Sequence, residues 1–416
     1  MTLLPDRVLV VGLARSGRAA AAAACGAGAA VVAYDHSEAV ATEGLEATEV
    51  RLGEWDDALL DRVGLVVKSP GVPEESPPIV AARAAGVPVV SEIELGAQLL
   101  PNPLLGVTGT NGKTTTTALL GAIFGAAGVA AEVAGNIGRP LTELVGTAAA
   151  DAWVVCELSS FQLEDVLTLR PRIAVLLNLE PDHIDRHGSF EAYGDAKLRI
   201  FENQEPGDLA IVPRGFGSIP GRGRRIEFAA DDPLPAEPLL LGAHNRENAA
   251  AAAAAARAAG LPDDAIATAL LTFPGVPHRI EEIATIDGVR YVNDSKATNV
   301  AAALRALASF PQARLHVILG GRGKQESYVP LAKALGSDDR AYLIGEAADE
   351  IAAALETGNV AFEVAGVLAR AVAAAASVAR EGDVVLLSPA CASFDQFESY
   401  EQRGEEFGKL VQKLQE

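Results

Sequence analysis

At 416 residues the chain is longer than a single hydrophobic core ordinarily grows, so two or three domains are expected. Its 49% hydrophobic and 21% charged content is that of a globular protein, and a net charge of −21 argues against nucleic acid or anionic lipid as partner. Cys25, Cys156 and Cys391 form no paired framework, which suits a reducing cytoplasm, and no run of about twenty apolar residues exists to span a membrane.

In chain order, the apolar strand Val8–Val11 runs into the turn Gly12-Leu13-Ala14-Arg15-Ser16-Gly17. The turn keeps the first and third glycines of a dinucleotide fingerprint but has Ala14 where a pyrophosphate would approach the backbone. Asp35 ends the next strand, at the place where a Rossmann-type fold holds ribose, and His36 follows at the edge. An NAD site, a site for a different nucleotide and a purely structural turn all remain open here. KSPGVP, Lys68 to Pro73, follows a further strand and is placed on the same rim, with a plain Pro-Gly turn as its other reading.

A Pro-bearing seam around 92–103 precedes the most informative segment, GVTGTNGKTTTT, Gly106 to Thr117. An apolar strand enters it, and an apolar run of helical spacing (Ala118, Leu119, Leu120, Ile123, Phe124) leaves it. Strand, glycine turn, then Lys-Thr opening a helix is the arrangement that cradles a nucleotide triphosphate. Backbone N–H groups and the helix end face the phosphates, Lys113 adds a full charge, and a Thr hydroxyl at 114 or 115 ligates magnesium. The standard spacing would require glycine at position 107, which is Val107, so TGTNGKT is a variant loop.

Glu157 ends the buried strand Trp153–Cys156, where a carboxylate beside a phosphate loop suits a magnesium ion. The next strand, 173–177, ends in NLEPDHIDRHGSF, whose Asp182, His183, Asp185 and His187 favour a metal or phosphate role. Lys197, on the helix that follows, reads by itself as an ordinary solvated lysine. Asn136 in AGNIG is an oxygen ligand, a phosphate donor or a plain turn residue. Asn245 and Asn248 in HNREN open a polyalanine helix, which they either cap or use to face a purine, capping being the simpler reading.

A second seam falls at FPGVPHR, residues 273–279. Beyond it, Arg279 and the run NDSKATN (Asn293 to Asn299) suit an anionic ligand; helix capping accounts for Asp294 and Ser295 but leaves Lys296 and Thr298 idle. RLHVILGGRGK (314–324) is a third strand-to-glycine-turn unit, with His316 as a core residue, and SPACASFDQF (Ser388 to Phe397) follows a last strand. The alternation of strands and helices predicts an α/β protein of three domains. These are a Rossmann-like domain at 1–92, a P-loop domain with a mostly parallel sheet at 93–277, and a Rossmann-like domain at 278–416.

Taken together, TGTNGKT, GNIG, ELSSFQLE, DHIDRH, the AKLRIFEN helix, HNREN, PHR, NDSKATN and LSPACASFDQF resemble the Mur ligase family of ATP-dependent amino-acid ligases, in family order over nearly the whole chain. The C-terminal pair, NDSKATN and SPACASFDQF, resembles the member that adds D-glutamate to UDP-N-acetylmuramoyl-L-alanine. The resemblance implies a cytoplasmic, monomeric ligase of peptidoglycan precursor synthesis that uses ATP and two magnesium ions and acts on these two small molecules.

It further implies site residues. ATP would lie on Gly109, Thr110, Asn111, Gly112, Lys113, Thr114 and Thr115, framed by Asn245, Asn248, Arg279 and Asp294. Thr114, Thr115 and Glu157 would serve magnesium, and a carbamylated Lys197 would join His183 on the second ion. Lys113, Glu157, His183 and Lys197 would be catalytic. Leu13, Ala14, Arg15, Ser16, Gly17, Asp35, His36, Ser69, Pro70, Gly71, Asn136 and Gln162 would hold the UDP-sugar. Lys296, Thr298, Lys324, Ser393, Phe394 and Tyr400 would face D-glutamate. This chain has Tyr400 where the family leads one to expect Phe, and Arg322 where an acidic or neutral residue is usual. A folylpolyglutamate-type ligase shares the ATPase core, but the N-terminal unit starting at residue 7 argues against it. From other classes, a non-catalytic nucleotide sensor and a dehydrogenase are the rivals.

Overall fold

The computed structural model describes residues 4–136, 138–240, 242–323 and 326–415. The chain divides into two compact units, one ending at Phe273 and the other starting at Pro274. The first unit carries two sheets and the second carries one.

The first sheet takes strands β1 (Arg7–Val11), β2 (Ala30–Asp35), β3 (Glu49–Leu52), β4 (Leu65–Lys68) and β5 (Val89–Ser91) in the order β3-β2-β1-β4-β5, all parallel. β1, β2 and β4 are near-continuous apolar runs because both of their faces are covered, whereas the edge strand β3 (EVRL) is partly exposed. The strand order reverses between β1 and β4, which opens a crevice at their carboxyl ends. Gly17 is required there, since a Cβ on it would overlap the Gly12 carbonyl oxygen.

The second sheet contains β6 (Leu104–Thr108), β7 (Ala131–Gly135), β8 (Trp153–Glu157), β9 (Ile173–Leu176), β10 (Leu209–Pro213) and β11 (Arg224–Phe228). Its order β11-β10-β9-β6-β8-β7 sets β6 between β8 and β9. The loops that leave these three strands therefore share one edge. The polyalanine run lies in helix Ala243–Ala258, whose small side chains are buried almost all round against helix Lys113–Ala126 and the sheet.

The second unit is built on β12 (Glu281–Ile286), β13 (Val289–Asn293), β14 (Leu315–Gly320), β15 (Arg340–Ile344), β16 (Ala361–Gly366) and β17 (Val384–Leu387), ordered β12-β13-β17-β14-β15-β16. Only β12 is antiparallel. His316 is a core residue of β14, held between the Tyr342 hydroxyl and Asp383, each at 3.1 Å. Among the described residues no helix is long and apolar enough to cross a membrane.

Within the first unit, two buried charges join the first sheet to the second. Lys68, at the end of β4, has its ammonium 2.5 Å from Asp165 and also pairs with Glu74. Glu92, just past β5, is fully buried. Its Oε1 accepts the Thr142 N–H and hydroxyl at 2.6 Å each, while Oε2 has no hydrogen-bond partner. Burial pushes this carboxyl up to about 7, against the pull of the Thr142 bonds. A folded-state value above the ordinary 4.5 means the folded protein holds the proton more tightly. The stability Glu92 contributes is therefore complete below that value and is lost as pH rises toward about 7. The neutral variant Glu92→Gln is expected to melt above the unaltered protein by a margin that widens from about pH 5 to about pH 8. Thermal denaturation across that range checks it; a margin constant with pH would contradict it.

Candidate active site

The loop after β6 closes back on itself. Gly109 and Gly112 take positive φ angles of 152° and 81°, and Gly112 is the residue before helix Lys113–Ala126. The Lys113 ammonium donates to the carbonyls of Gly109 at 2.8 Å and Thr110 at 2.9 Å. The loop after β9 braces it from the side: Asn178 Oδ1 accepts the Asn111 N–H at 2.8 Å, Glu180 accepts the Asn111 amide at 2.7 Å, and Thr110 bonds the Glu180 backbone. Thr114 and Thr115 are buried in the first helical turn.

Beside this loop, at the end of β8, Glu157 is buried. Its Oε1 accepts the Asn136 amide at 2.9 Å, and its Oε2 is buried with no hydrogen-bond partner. A buried carboxylate oxygen left without a donor, at the end of the strand beside β6 and its glycine turn, fits a magnesium ion with oxygen ligands. Among the described residues no three His, Cys, Asp or Glu side chains converge as a self-contained metal centre. The fit therefore depends on phosphate oxygens completing the coordination.

Lys197 is not solvated. It is 1% exposed, its ammonium donates to the Gly109 carbonyl at 2.8 Å, and it lies 4.8 Å from the centre of the Tyr193 ring. Burial, with Lys113 nearby, pulls its value down to about 6. The reading of an ordinary solvated lysine fails because this helix, Phe190–Leu198, lies over the loop after β6 and turns Tyr193 and Lys197 inward. Tyr193 also donates to Thr110 Oγ1 at 3.0 Å and sits 6.5 Å, ring to ring, from His183. His183 takes a positive φ of 52°, packs edge-on to Phe161 and is about half exposed at 49%. His187 ends the short helix Ile184–His187 and lies 3.0 Å from both the Ser160 hydroxyl and the Glu164 carboxylate, while the side chain of Asp185 lies outside the described residues.

The two asparagines of HNREN do not cap their helix. Gly242 occupies the cap position without a side-chain bond, because Asn245 and Asn248 fall inside the first turns. Asn248 instead abuts the phosphate loop, where a Cβ on Gly112 would overlap its Oδ1. With Asn245 and Thr115 it lines a small apolar recess against Pro238, Leu240 and Phe273.

A cavity of 810 Å³ opens where the first sheet's crevice meets the GNIG turn. Ala14, Arg15, Ser16, Asp35, His36, Ser69, Pro70, Gly71, Asn136 and Gln162 line it. Leu13 and Gly17 do not: Leu13 is 1% exposed in the core, with only its N–H used by Asp35 Oδ2 at 2.7 Å, and Gly17 is spent on close packing. The wall also includes Val72 and Pro73, from the KSPGVP segment, and Trp55, which no motif flagged.

In the second unit, the loops after β13, β17 and β14 come off adjacent strands. Asp294 and Ser295 cap nothing, since Asn299 caps the following helix, Val300–Ala308. Asp294 is buried and accepts from the Ser388 hydroxyl at 2.8 Å and the Ile280 N–H at 3.2 Å, with Arg279 close enough to favour its charge; burial nonetheless pushes it up to about 7. The Lys296 ammonium lies 5.6 Å from the Tyr400 ring centre, Thr298 bonds back to the Lys296 carbonyl, Ser393 is buried and Phe394 is exposed at 64%. Arg322 pairs with Glu346 on the surface. Lys324 lies outside the described residues. Arg403, which the sequence offered no reason to single out, is 1% exposed. It ties the Ser295 hydroxyl and carbonyl (2.9 Å each) to the Cys391 carbonyl (3.1 Å), locking the post-β13 and post-β17 loops together.

Three family models match successive stretches: the Mur ligase MurD-like N-terminal domain over residues 6–91, the Mur ligase middle domain over 107–215, and the Mur ligase glutamate ligase domain over 278–391. The chain is 43% identical to the UDP-N-acetylmuramoylalanine–D-glutamate ligase of Myxococcus xanthus, with 100% of both chains covered. Its identity to the enzyme of the same name from Anaeromyxobacter dehalogenans is 45%, over 97% of each. Among solved structures, the UDP-N-acetylmuramate-alanine ligase of Thermotoga maritima superposes with a TM-score of 0.60 at 19% identity, covering 98% of this chain and 99% of that one. The bifunctional folylpolyglutamate synthase/dihydrofolate synthase of Yersinia pestis reaches 0.56 at 19% identity and covers 77% of this chain and 92% of its own. Both likenesses are of fold.

Proposed function

The chain belongs to the Mur ligase family, and from that premise we propose that it joins the alanine carboxylate of UDP-N-acetylmuramoyl-L-alanine to the amine of D-glutamate, with ATP converted to ADP and phosphate. The observation that carries this reading is identity above 40% over whole chains to ligases of that name. The reaction is a step of peptidoglycan precursor synthesis, in the cytoplasm, by a monomer.

The chemistry follows from the parts. A carboxylate acylates poorly, so its oxygen first attacks the γ-phosphorus of ATP and ADP departs, leaving an acyl phosphate. The D-glutamate amine then attacks the acyl carbon and loses a proton, and the tetrahedral adduct expels phosphate. Lys113 supplies a fixed positive charge at the loop where the β- and γ-phosphates would lie. Magnesium, when bound, spreads the negative charge of the transferring phosphoryl group. Thr114, Thr115 and Glu157 are the residues assigned to hold the first ion, and His183 with a carbamylated Lys197 the second. A lysine amine pulled down to about 6 is largely neutral at neutral pH, the form that adds carbon dioxide. The 810 Å³ cavity is assigned to the UDP-sugar, with Asn136 and Gln162 at its catalytic end. Lys296, Thr298, Ser393, Phe394 and Tyr400 are assigned to D-glutamate. Residues 1–92, 93–277 and 278–416 are the corresponding domains.

Phosphate release from ATP and magnesium, measured with UDP-N-acetylmuramoyl-L-alanine and one amino acid at a time, tests the reading. Release that needs D-glutamate and ignores L-glutamate supports it. Release with another acceptor moves the specificity, and no release with any pair would favour the rival reading of a non-catalytic nucleotide sensor.

A further inference from the structure

We propose that Trp55 is the aromatic wall of the uracil subsite in the 810 Å³ cavity and sets the affinity for uridine nucleotides; this rests on the assignment of that cavity to the UDP-sugar. Trp55 lies beyond the end of β3, on no recognisable motif, yet the structure pins it to the cavity. The Tyr34 hydroxyl donates to the Gly53 carbonyl at 2.9 Å, and the Gly53 N–H donates to the Asp35 carbonyl at 3.0 Å. The Trp55 ring meets the Tyr34 ring edge-to-face, 5.0 Å between centres and 79° between planes. The indole N–H is satisfied by Asp57 at 2.7 Å, so the indole brings its π-surface, and no unmet donor, to a ligand.

Three bonds and a ring contact thus hold an indole in register with the Asp35 end of β2. Val72 and Pro73 of the loop after β4 add apolar surface to the same cavity. A flat, weakly polar ring lying between aromatic and proline surfaces, with its rim toward backbone groups, is the chemistry of a pyrimidine base. The carboxylate of Asp35 already accepts the N–H groups of Leu13 at 2.7 Å and Ser37 at 2.9 Å. With those bonds in place, stacking on Trp55 carries more of the base recognition than a turn lacking the middle glycine would suggest.

The chain has two tryptophans, and Trp153 belongs to the core packing of the second sheet. Titration of UDP into the Trp153→Phe variant therefore reads Trp55 alone. Quenching that saturates with the affinity measured by calorimetry is expected. Trp55→Ala is expected to weaken UDP binding and raise KM for the UDP-sugar roughly ten-fold or more, leaving kcat and the KM for ATP unchanged, since base stacking is typically worth about that much. Trp55→Phe, which keeps an aromatic face, should recover most of the loss and guards against a folding defect. UDP that binds by calorimetry while Trp55 fluorescence stays unchanged and Trp55→Ala binds within about two-fold would overturn the proposal and leave the cavity assignment standing. Failure of UDP to bind the unaltered protein would overturn both.

Discussion

Lys113→Ala is expected to lower turnover on the order of a thousand-fold while leaving UDP-sugar affinity unchanged. The lysine is the one full positive charge inside the loop after β6, where it now neutralises the carbonyls of Gly109 and Thr110. Charge built up on a transferring phosphoryl group would be met there by a fixed cation. The cavity proposed for the UDP-sugar takes no part of its wall from Lys113, so binding there should be indifferent to the change. Steady-state kinetics paired with calorimetry on the UDP-sugar separates the two. Joint loss of turnover and UDP-sugar binding would contradict the assignment of separate sites.

Lys197→Ala is expected to abolish turnover to a similar extent, and a carbamate carbon signal is expected from the unaltered protein in 13C-bicarbonate and not from the variant. The physical basis is burial. A buried ammonium close to Lys113 is poorly supported, and the neutral amine can attack the carbon of carbon dioxide, release a proton to water and become a carbamate. Such an anion would suit the same position far better when magnesium-bound phosphates lie alongside. The bond from Lys197 to the Gly109 carbonyl describes the unmodified side chain. Turnover left intact in Lys197→Ala would contradict a metal role, and a carbamate signal that persists in the variant would place the modification elsewhere.

Much of the architecture was legible because it is written in contiguous segments. The loop TGTNGKT, the strand ends at Glu157 and Asn293, and the three glycine turns after apolar runs all occupy the edges that α/β geometry assigns them. The polyalanine stretch forms the helix its composition demands. Contiguity also misled. HNREN reads as a capping sequence only if the helix starts after it, and the helix starts at Ala243. Asp294 and Ser295 resemble caps until Asn299 is seen in that position.

What stayed hidden was every property that depends on neighbours distant in the chain. Asn178, Glu180 and Tyr193 brace the phosphate loop from about 70 to 83 residues away, an arrangement set by β9 lying beside β6. The same holds for the Lys68–Asp165 pair, for Arg403 and for Trp55. The sequence by itself determined the order of strands and turns and which loop is the candidate for phosphate, because φ/ψ preferences and apolar periodicity are local. Only the tertiary structure decided that Lys197 is a buried, weakly basic amine rather than a solvated cation. Desolvation is a sum over whatever surrounds a side chain, and its surroundings here come from the phosphate loop, 88 residues earlier.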